Sequence, residues 1–291
     1  MFNPDVEDGR MSRKPVLQPE VQTLMNGIAM GESPRWHDGR LWFADWGTQQ
    51  IVAVDTLGKS EVIIQTQLEL PLSIDWLPDG RLLIVAGAAS LLLRRETDGT
   101  IVTHADLRAV SDLGWNEIVV DRRGYAYVNG GPGVIAVVAP DGTVRQVADK
   151  IAFPNGMAIT EDGTTLIIAE SHGKRLTAFD IESDGSLSHR RIWADLKDGY
   201  PDGLCIDAEN AVWYGDVPNK RCVRVREGGE VLQTVTLDRG CFACMLGGAT
   251  GKTLFLVATE WRGMENYVAV AAERTGKILT TEAPAAAAGR P

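Results

Sequence analysis

A turn dipeptide flanked by short apolar, β-branched runs recurs along this chain: Asp38-Gly39, Asp79-Gly80, Arg123-Gly124, Asp162-Gly163, Glu209-Asn210 and Thr250-Gly251. The steps between them are 41, 44, 39, 47 and 41 residues. No other feature restricts the fold as much, because a near-constant period of this length means one supersecondary unit repeated, each copy burying its apolar faces against the next. After each turn comes a strand-like run such as Leu41 to Ala44, Leu82 to Ala86 or Leu166 to Ala169, then a third such as Ile51 to Asp55 or Leu176 to Asp180. A second turn often follows, as at Asp98-Gly99, Asp141-Gly142, Asp184-Gly185 and Gly228-Gly229. Each unit reads as a four-stranded antiparallel meander, and nowhere does a helical apolar period last three turns. The expected fold is all-β, a six-bladed β-propeller with four-stranded antiparallel blades. Two stacked β-sandwiches are the alternative, but they would not require a near-constant period. A strand near Val21 to Met25 or the run Ile278 to Thr281 is available to complete the last blade.

With 44% hydrophobic and 23% charged residues, the 291-residue chain has the composition of a globular domain with a large core. Its formal net charge of -10, with no basic cluster longer than pairs such as Arg122-Arg123, removes the footprint of a nucleic-acid binder and argues against an anionic membrane surface. Asp5, Glu7 and Asp8 break up any secretory signal, no run approaches a membrane span, and four cysteines are too few for a disulfide scaffold. These features lead to the expectation of a cytoplasmic protein, a monomer or weak homodimer acting on a small molecule. The expected layout is a disordered segment over 1–15, the propeller over 16–283 and a flexible Ala-rich tail over 284–291 with nothing to bury.

In a propeller the start of each innermost strand lies at one rim of the central channel, so one offset from the turn compares like with like. Seven residues before the first turn stand Asn116, Asn155 and Asp202, and six before it in the first unit stands Glu32; the same count gives Leu72 and Ala243 in units two and six. One such residue alone is more simply a turn former. Four hard oxygen donors aimed at one axis suit a divalent cation, calcium first, with zinc, manganese, magnesium or ferrous iron as alternatives. Without one, Glu32 and Asp202 would repel each other.

Gly31-Glu32-Ser33-Pro34-Arg35-Trp36 with Leu41-Trp42-Phe43-Ala44-Asp45, Phe153-Pro154-Asn155-Gly156-Met157-Ala158, and Pro201-Asp202-Gly203-Leu204-Cys205-Ile206-Asp207 together resemble the signatures of the senescence marker protein (regucalcin)/gluconolactonase/luciferin-regenerating enzyme family. The resemblance runs from about Met30 to Arg262. It implies a six-bladed propeller that hydrolyses lactones, holding one divalent cation on Glu32, Asn155 and Asp202. In that reading the cation polarises the lactone carbonyl and Asp202 takes the proton of the attacking water, with Glu32 as the alternative base. Where sugar-lactone members resemble Arg-x-Asn-Asp, this chain has Gly114-Trp115-Asn116-Glu117. The asparagine matches, but a glycine cannot donate to a polyol. Asn116 is then a fourth ligand or a substrate contact, joined by Glu117. Trp115 either packs between blades or faces a flatter, more apolar ring, and His172 sits on a rim loop or simply on the surface.

Competing motifs are weaker. Ala169-Glu170-Ser171-His172-Gly173 lacks the first glycine and the following helix of a nucleophile elbow. Cys241-Phe242-Ala243-Cys244 has no second pair and is expected as apolar lining on the inner strand of the sixth unit. Trp36, Trp42, Trp46, Trp76, Trp193 and Trp213 are expected between blades, with the rim as the alternative place for Trp46. Two other functions stay open. The ligand set also resembles that of the organophosphate hydrolase diisopropylfluorophosphatase, and a propeller of this kind can serve as a non-catalytic, calcium-loaded binding scaffold.

Overall fold

The computed structural model describes residues 20–291, and the expected 1–15 segment lies outside them. The described residues form six four-stranded antiparallel sheets, the blades of a six-bladed β-propeller. The first five blades run outward in chain order from the inner strands Gly31–His37, Leu72–Trp76, Trp115–Val120, Pro154–Ile159 and Pro201–Ile206. The sixth has Gly240–Gly247 innermost, followed by Thr253–Thr259 and Gly276–Glu282, and takes its outermost strand, Gln22–Ile28, from the other end of the chain. Both segments offered for closure are therefore used, paired side by side from Gln22↔Thr280 to Ile28↔Gly276. The six inner strands contact one another successively, and the sixth returns to the first.

The period comes from turn chemistry. Asp79, Asp98, Asp141, Asp162 and Asp184 each accept, through Oδ1, the backbone N–H two residues on. The next residue is a glycine at positive φ, +84° at Gly80 and +86° at Gly142, which a side chain would strain. Burial then falls outward: second strands such as Leu82–Ala86 are buried throughout, whereas fourth strands such as Ser60–Gln65 are mostly exposed. A sheet apolar on both faces needs a neighbour on each, and the core accordingly lies between blades. Trp42 meets Trp76 edge to face at 5.2 Å across blades one and two, and Trp36 stacks on Phe255 at 5.3 Å across blades one and six. Trp193 packs between blades four and five, and Trp213 between five and six.

The expectation of a flexible tail over 284–291 is corrected. Ala285 is buried, and the backbone bonds to three blades: Ala208 N–H donates to Ala286 O, Ala287 N–H to Gly251 O, and Ile159 exchanges hydrogen bonds with Arg290. Methyl side chains are small enough to lie flat against the sheet ends, so composition alone understated what the segment could bury. Among the described residues no helix is long and apolar enough to cross a membrane.

The inner ring is tight enough to exclude a methyl group. A Cβ on Gly203 would lie 2.4 Å from Ala243 Cβ and 2.8 Å from Ala243 Cα, on the strand of the next blade. Gly203→Ala is expected to destabilise the fold by about 1–3 kcal/mol, read as a lower urea midpoint at unchanged m-value.

Candidate functional site

Strand register shows why certain side chains turn into the channel. In blades three, four and five the inner-strand pairing jumps between Trp115 and Ile118, Pro154 and Met157, and Pro201 and Leu204. Asn116, Asn155 and Asp202 each sit in such a β-bulge, and Glu32 opens the equivalent one between Glu32 and Arg35. A bulge re-aims a side chain that regular pleating would direct into a blade face. Aligning the blades by these pairs gives Glu32, Ser73, Asn116, Asn155, Asp202 and Cys241 as equivalents, since Leu72 pairs Ala86 as Gly31 pairs Asp45, and Gly240 pairs Thr259 as Pro201 pairs Asp216. The turn count that gave Leu72 and Ala243 is thus corrected: blade two has no bulge and blade six has a longer hairpin, so distance from the turn is not conserved there.

Glu32, Asn116, Asn155 and Asp202 line one cavity of about 570 Å³, as do Trp115 and His172. Asn116 Nδ2 lies 3.4 Å from Asn155 Oδ1, and Asn155 Nδ2 reaches Ser171 Oγ at 3.5 Å. Asp202 is partly open to the cavity, yet its Oδ1 is buried and has no hydrogen-bond partner. Burial, followed by repulsion from Asp202 and Glu117, holds the Glu32 carboxyl well above its ordinary range. Burial, then Glu117, raises Asp202 likewise. Two carboxylates that oppose each other's ionisation, one with an orphaned oxygen, beside two amides, form a donor set that fits an oxygen-preferring cation. Among the described residues no group of three or more His, Cys, Asp or Glu side chains forms such a site; the set here is mixed carboxylate and amide.

Glu117 does not join the cavity, which corrects its place as a substrate contact. One residue on from Asn116, its Oε1 accepts from Ser33 Oγ at 3.0 Å, Arg35 Nη2 at 3.2 Å and Ile118 N at 2.9 Å. Arg35 also donates to Ile118 O, so this buried pair bridges blades one and three across the channel. Trp115 is 1% exposed within the layer between blades two and three, where its indole N–H donates to Ser111 O, and it also contributes to the cavity wall. His172 lies on the cavity, stacked on Phe153 at 4.4 Å. Ser171 Oγ donates to Pro201 O rather than to an imidazole, so the Ser-His pair is no triad. The four cysteines are all buried around the inner strands of blades five and six, and burial pushes the thiols of Cys205, Cys222 and Cys244 up, away from reactivity.

Apolar wall residues escaped the sequence reading. Trp46 takes its alternative place, on the cavity, with its indole N–H donating to Leu72 O of blade two at 2.6 Å. Phe153, Tyr200, Phe242 and Trp261 line the cavity as well. Their only sequence signal is position: Phe153 and Tyr200 immediately precede the inner strands of blades four and five, and Trp261 follows the second strand of blade six.

Residues 30–260 match the model of the SMP-30/gluconolactonase/LRE-like region. Regucalcin of Xenopus laevis is 26% identical over 288 residues, covering 89% of this chain and 95% of that protein. Diisopropyl-fluorophosphatase of Loligo vulgaris is 26% identical over 191 residues, covering 55% and 61%. In structure, a luciferin-regenerating enzyme superposes with a TM-score of 0.75 at 18% identity, covering 93% of this chain and 99% of that one.

Two outcomes test this geometry. Arg35→Met strands the Glu117 carboxylate, and a cost of about 3–5 kcal/mol is expected in denaturant unfolding. Adding calcium to chelator-treated protein should stabilise it by about 2.7 kcal/mol at a hundred times Kd, seen as a rise in calorimetric Tm that Asp202→Asn abolishes.

Proposed function

The chain belongs to the SMP-30/gluconolactonase/LRE-like family, and from that premise we propose that it is a cytoplasmic hydrolase, monomeric or weakly dimeric, that opens lactone rings with one divalent cation held by Glu32, Asn155 and Asp202. The observation that carries this reading is the buried Asp202 Oδ1, without a hydrogen-bond partner among the described residues, facing a second carboxylate in a cavity whose other walls are largely apolar. A bundle of like charges is costly as scaffolding and useful as a catalytic site. Bound there, a calcium, zinc, manganese, magnesium or ferrous ion supplies Lewis-acid polarisation of the substrate carbonyl.

The chain's own groups do the rest. Asp202 accepts a proton from the attacking water as the water oxygen bonds to the carbonyl carbon. The ring C–O bond then breaks, and the proton passes to the departing alkoxide, giving a hydroxy acid. Glu32 is the alternative base. Asn116, held by its amide to Pro154 O and Asn155 Oδ1, completes the ligand set or orients the water. The surrounding apolar wall keeps bulk water away from the reacting carbonyl.

A second reading, phosphotriester hydrolysis, is favoured by the similarity to the squid enzyme, because the same groups would act on a P=O centre. The deciding experiment is pH-stat hydrolysis of a lactone panel and a phosphotriester panel by chelator-stripped protein, with calcium, manganese or zinc restored singly. Cation-dependent acid release from lactones is expected, falling by about 10²–10⁴-fold in Asp202→Asn and lost in Glu32→Gln. Release from phosphotriesters alone would move the assignment to the second reading. No turnover of either panel by a cation-loaded protein would leave a binding scaffold.

A further inference from the structure

Resting on the lactonase reading, we propose that the substrate is a neutral lactone bearing a hydrocarbon or aryl substituent, selected by an apolar rim to which every blade contributes. From blades one to six the cavity receives Trp46, Pro71, Leu113, Phe153, Val217 and Phe242. Two of the three indole donors around the cavity are already committed, Trp46 to Leu72 O and Trp115 to Ser111 O, so those two rings offer only apolar surface. Phe242 and Trp261 meet edge to face at 5.4 Å, a rigid corner suited to a flat ring or alkyl chain.

Polar capacity beyond the ring of Glu32, Asn116, Asn155 and Asp202 is small. Among side chains it comes to the Trp261 indole N–H, Ser171, whose hydroxyl already donates to Pro201 O, His172, stacked on Phe153, and Tyr200, whose ring carries Lys174 Nζ at 4.5 Å. A polyhydroxylated lactone would bury several hydroxyls without partners, and sites discriminate strongly against that. Among the described residues no Lys or Arg lines the cavity, so its wall offers a carboxylate or phosphate on the substrate no basic side chain. The apolar character continues outward: Leu113, Phe153 and Met264 are 70%, 54% and 65% exposed, and all three border the cavity. Large apolar groups left in water around a cavity mark a surface meant to be covered, here by a substituent too long for the interior.

The test is steady-state hydrolysis, by the calcium-loaded protein, of γ-butyrolactones substituted with methyl, butyl, hexyl, octyl or phenyl, against gluconolactone. In parallel, tryptophan fluorescence follows binding of γ-octyl-γ-butyrolactam, which resists hydrolysis. Expected is a rise in kcat/KM of about fourfold per buried methylene, carried mainly by KM, with gluconolactone at least ~100-fold below the hexyl compound. Phe242→Ser should flatten the chain-length dependence of both kcat/KM and lactam binding. A flat series, or gluconolactone as the best substrate, overturns this inference while leaving the lactonase reading intact. Lactam binding that tightens with the alkyl chain, combined with no turnover of any lactone, overturns the lactonase reading and leaves the apolar selectivity standing.

Discussion

Closure of the inner ring is the constraint on which everything else in this molecule rests. The innermost strand of each blade has an edge with no partner strand, and in a protein such an edge must be satisfied or hidden. Here it is tied by side chains of the neighbouring blade. Ile74 N–H donates to Ser33 Oγ at 3.0 Å, Val120 N–H to Asp75 Oδ2 at 2.7 Å, Ser73 Oγ to Asn116 O at 2.7 Å, and Asn129 Nδ2 to Asn155 O at 2.6 Å. Glycines at the tightest points, Gly156 against Leu204 N and Gly203 against Ala243, bring the strands together. The pairing of Gln22–Ile28 with Gly276–Glu282 then makes the ring continuous, so that no blade can leave without exposing both its neighbours.

The same closure creates an electrostatic problem at the site. Bulges aim Glu32 and Asp202 at a common space while Glu117 lies just beneath. Glu117 has Arg35 at 3.2 Å to balance it; Asp202 Oδ1 has nothing. The channel ring thus balances one carboxylate internally and leaves an oxygen of another without a hydrogen-bond partner among the described residues. The strain recurs in the backbone, where Ser33, beside Glu32, and Phe153, two residues before Asn155, adopt φ of +50° and +62°.

Much of the fold was legible because its signals are local. An aspartate bonding the backbone two residues ahead, with glycine next, sets each hairpin, and that chemistry is written in adjacent residues. The site was legible to the extent that the repeats stay in phase. Glu32, Asn116, Asn155 and Asp202 were found by counting from the turns, whereas Ser73 and Cys241 were missed because a bulge is absent in one blade and a hairpin longer in another. Glu117 was placed at the substrate because it stands where the Arg-x-Asn-Asp motif has its aspartate; in an extended strand adjacent side chains diverge, and its carboxylate went to Arg35 instead. The tail was judged by composition, which says nothing of the groove waiting for it.

The sequence by itself determined the number of blades, the antiparallel meander within each, and the presence of hard oxygen donors at one repeated position, since turn preference, strand alternation and repeat phase act over a few residues. Only the tertiary structure decided which donors are left unpaired, that Ala285 and Arg290 strap the ends of the sheets, and that the cavity wall is aromatic. That wall is assembled from residues as far apart as Trp46 and Trp261. They come together because the ring closes, and no local rule of the chain carries that information.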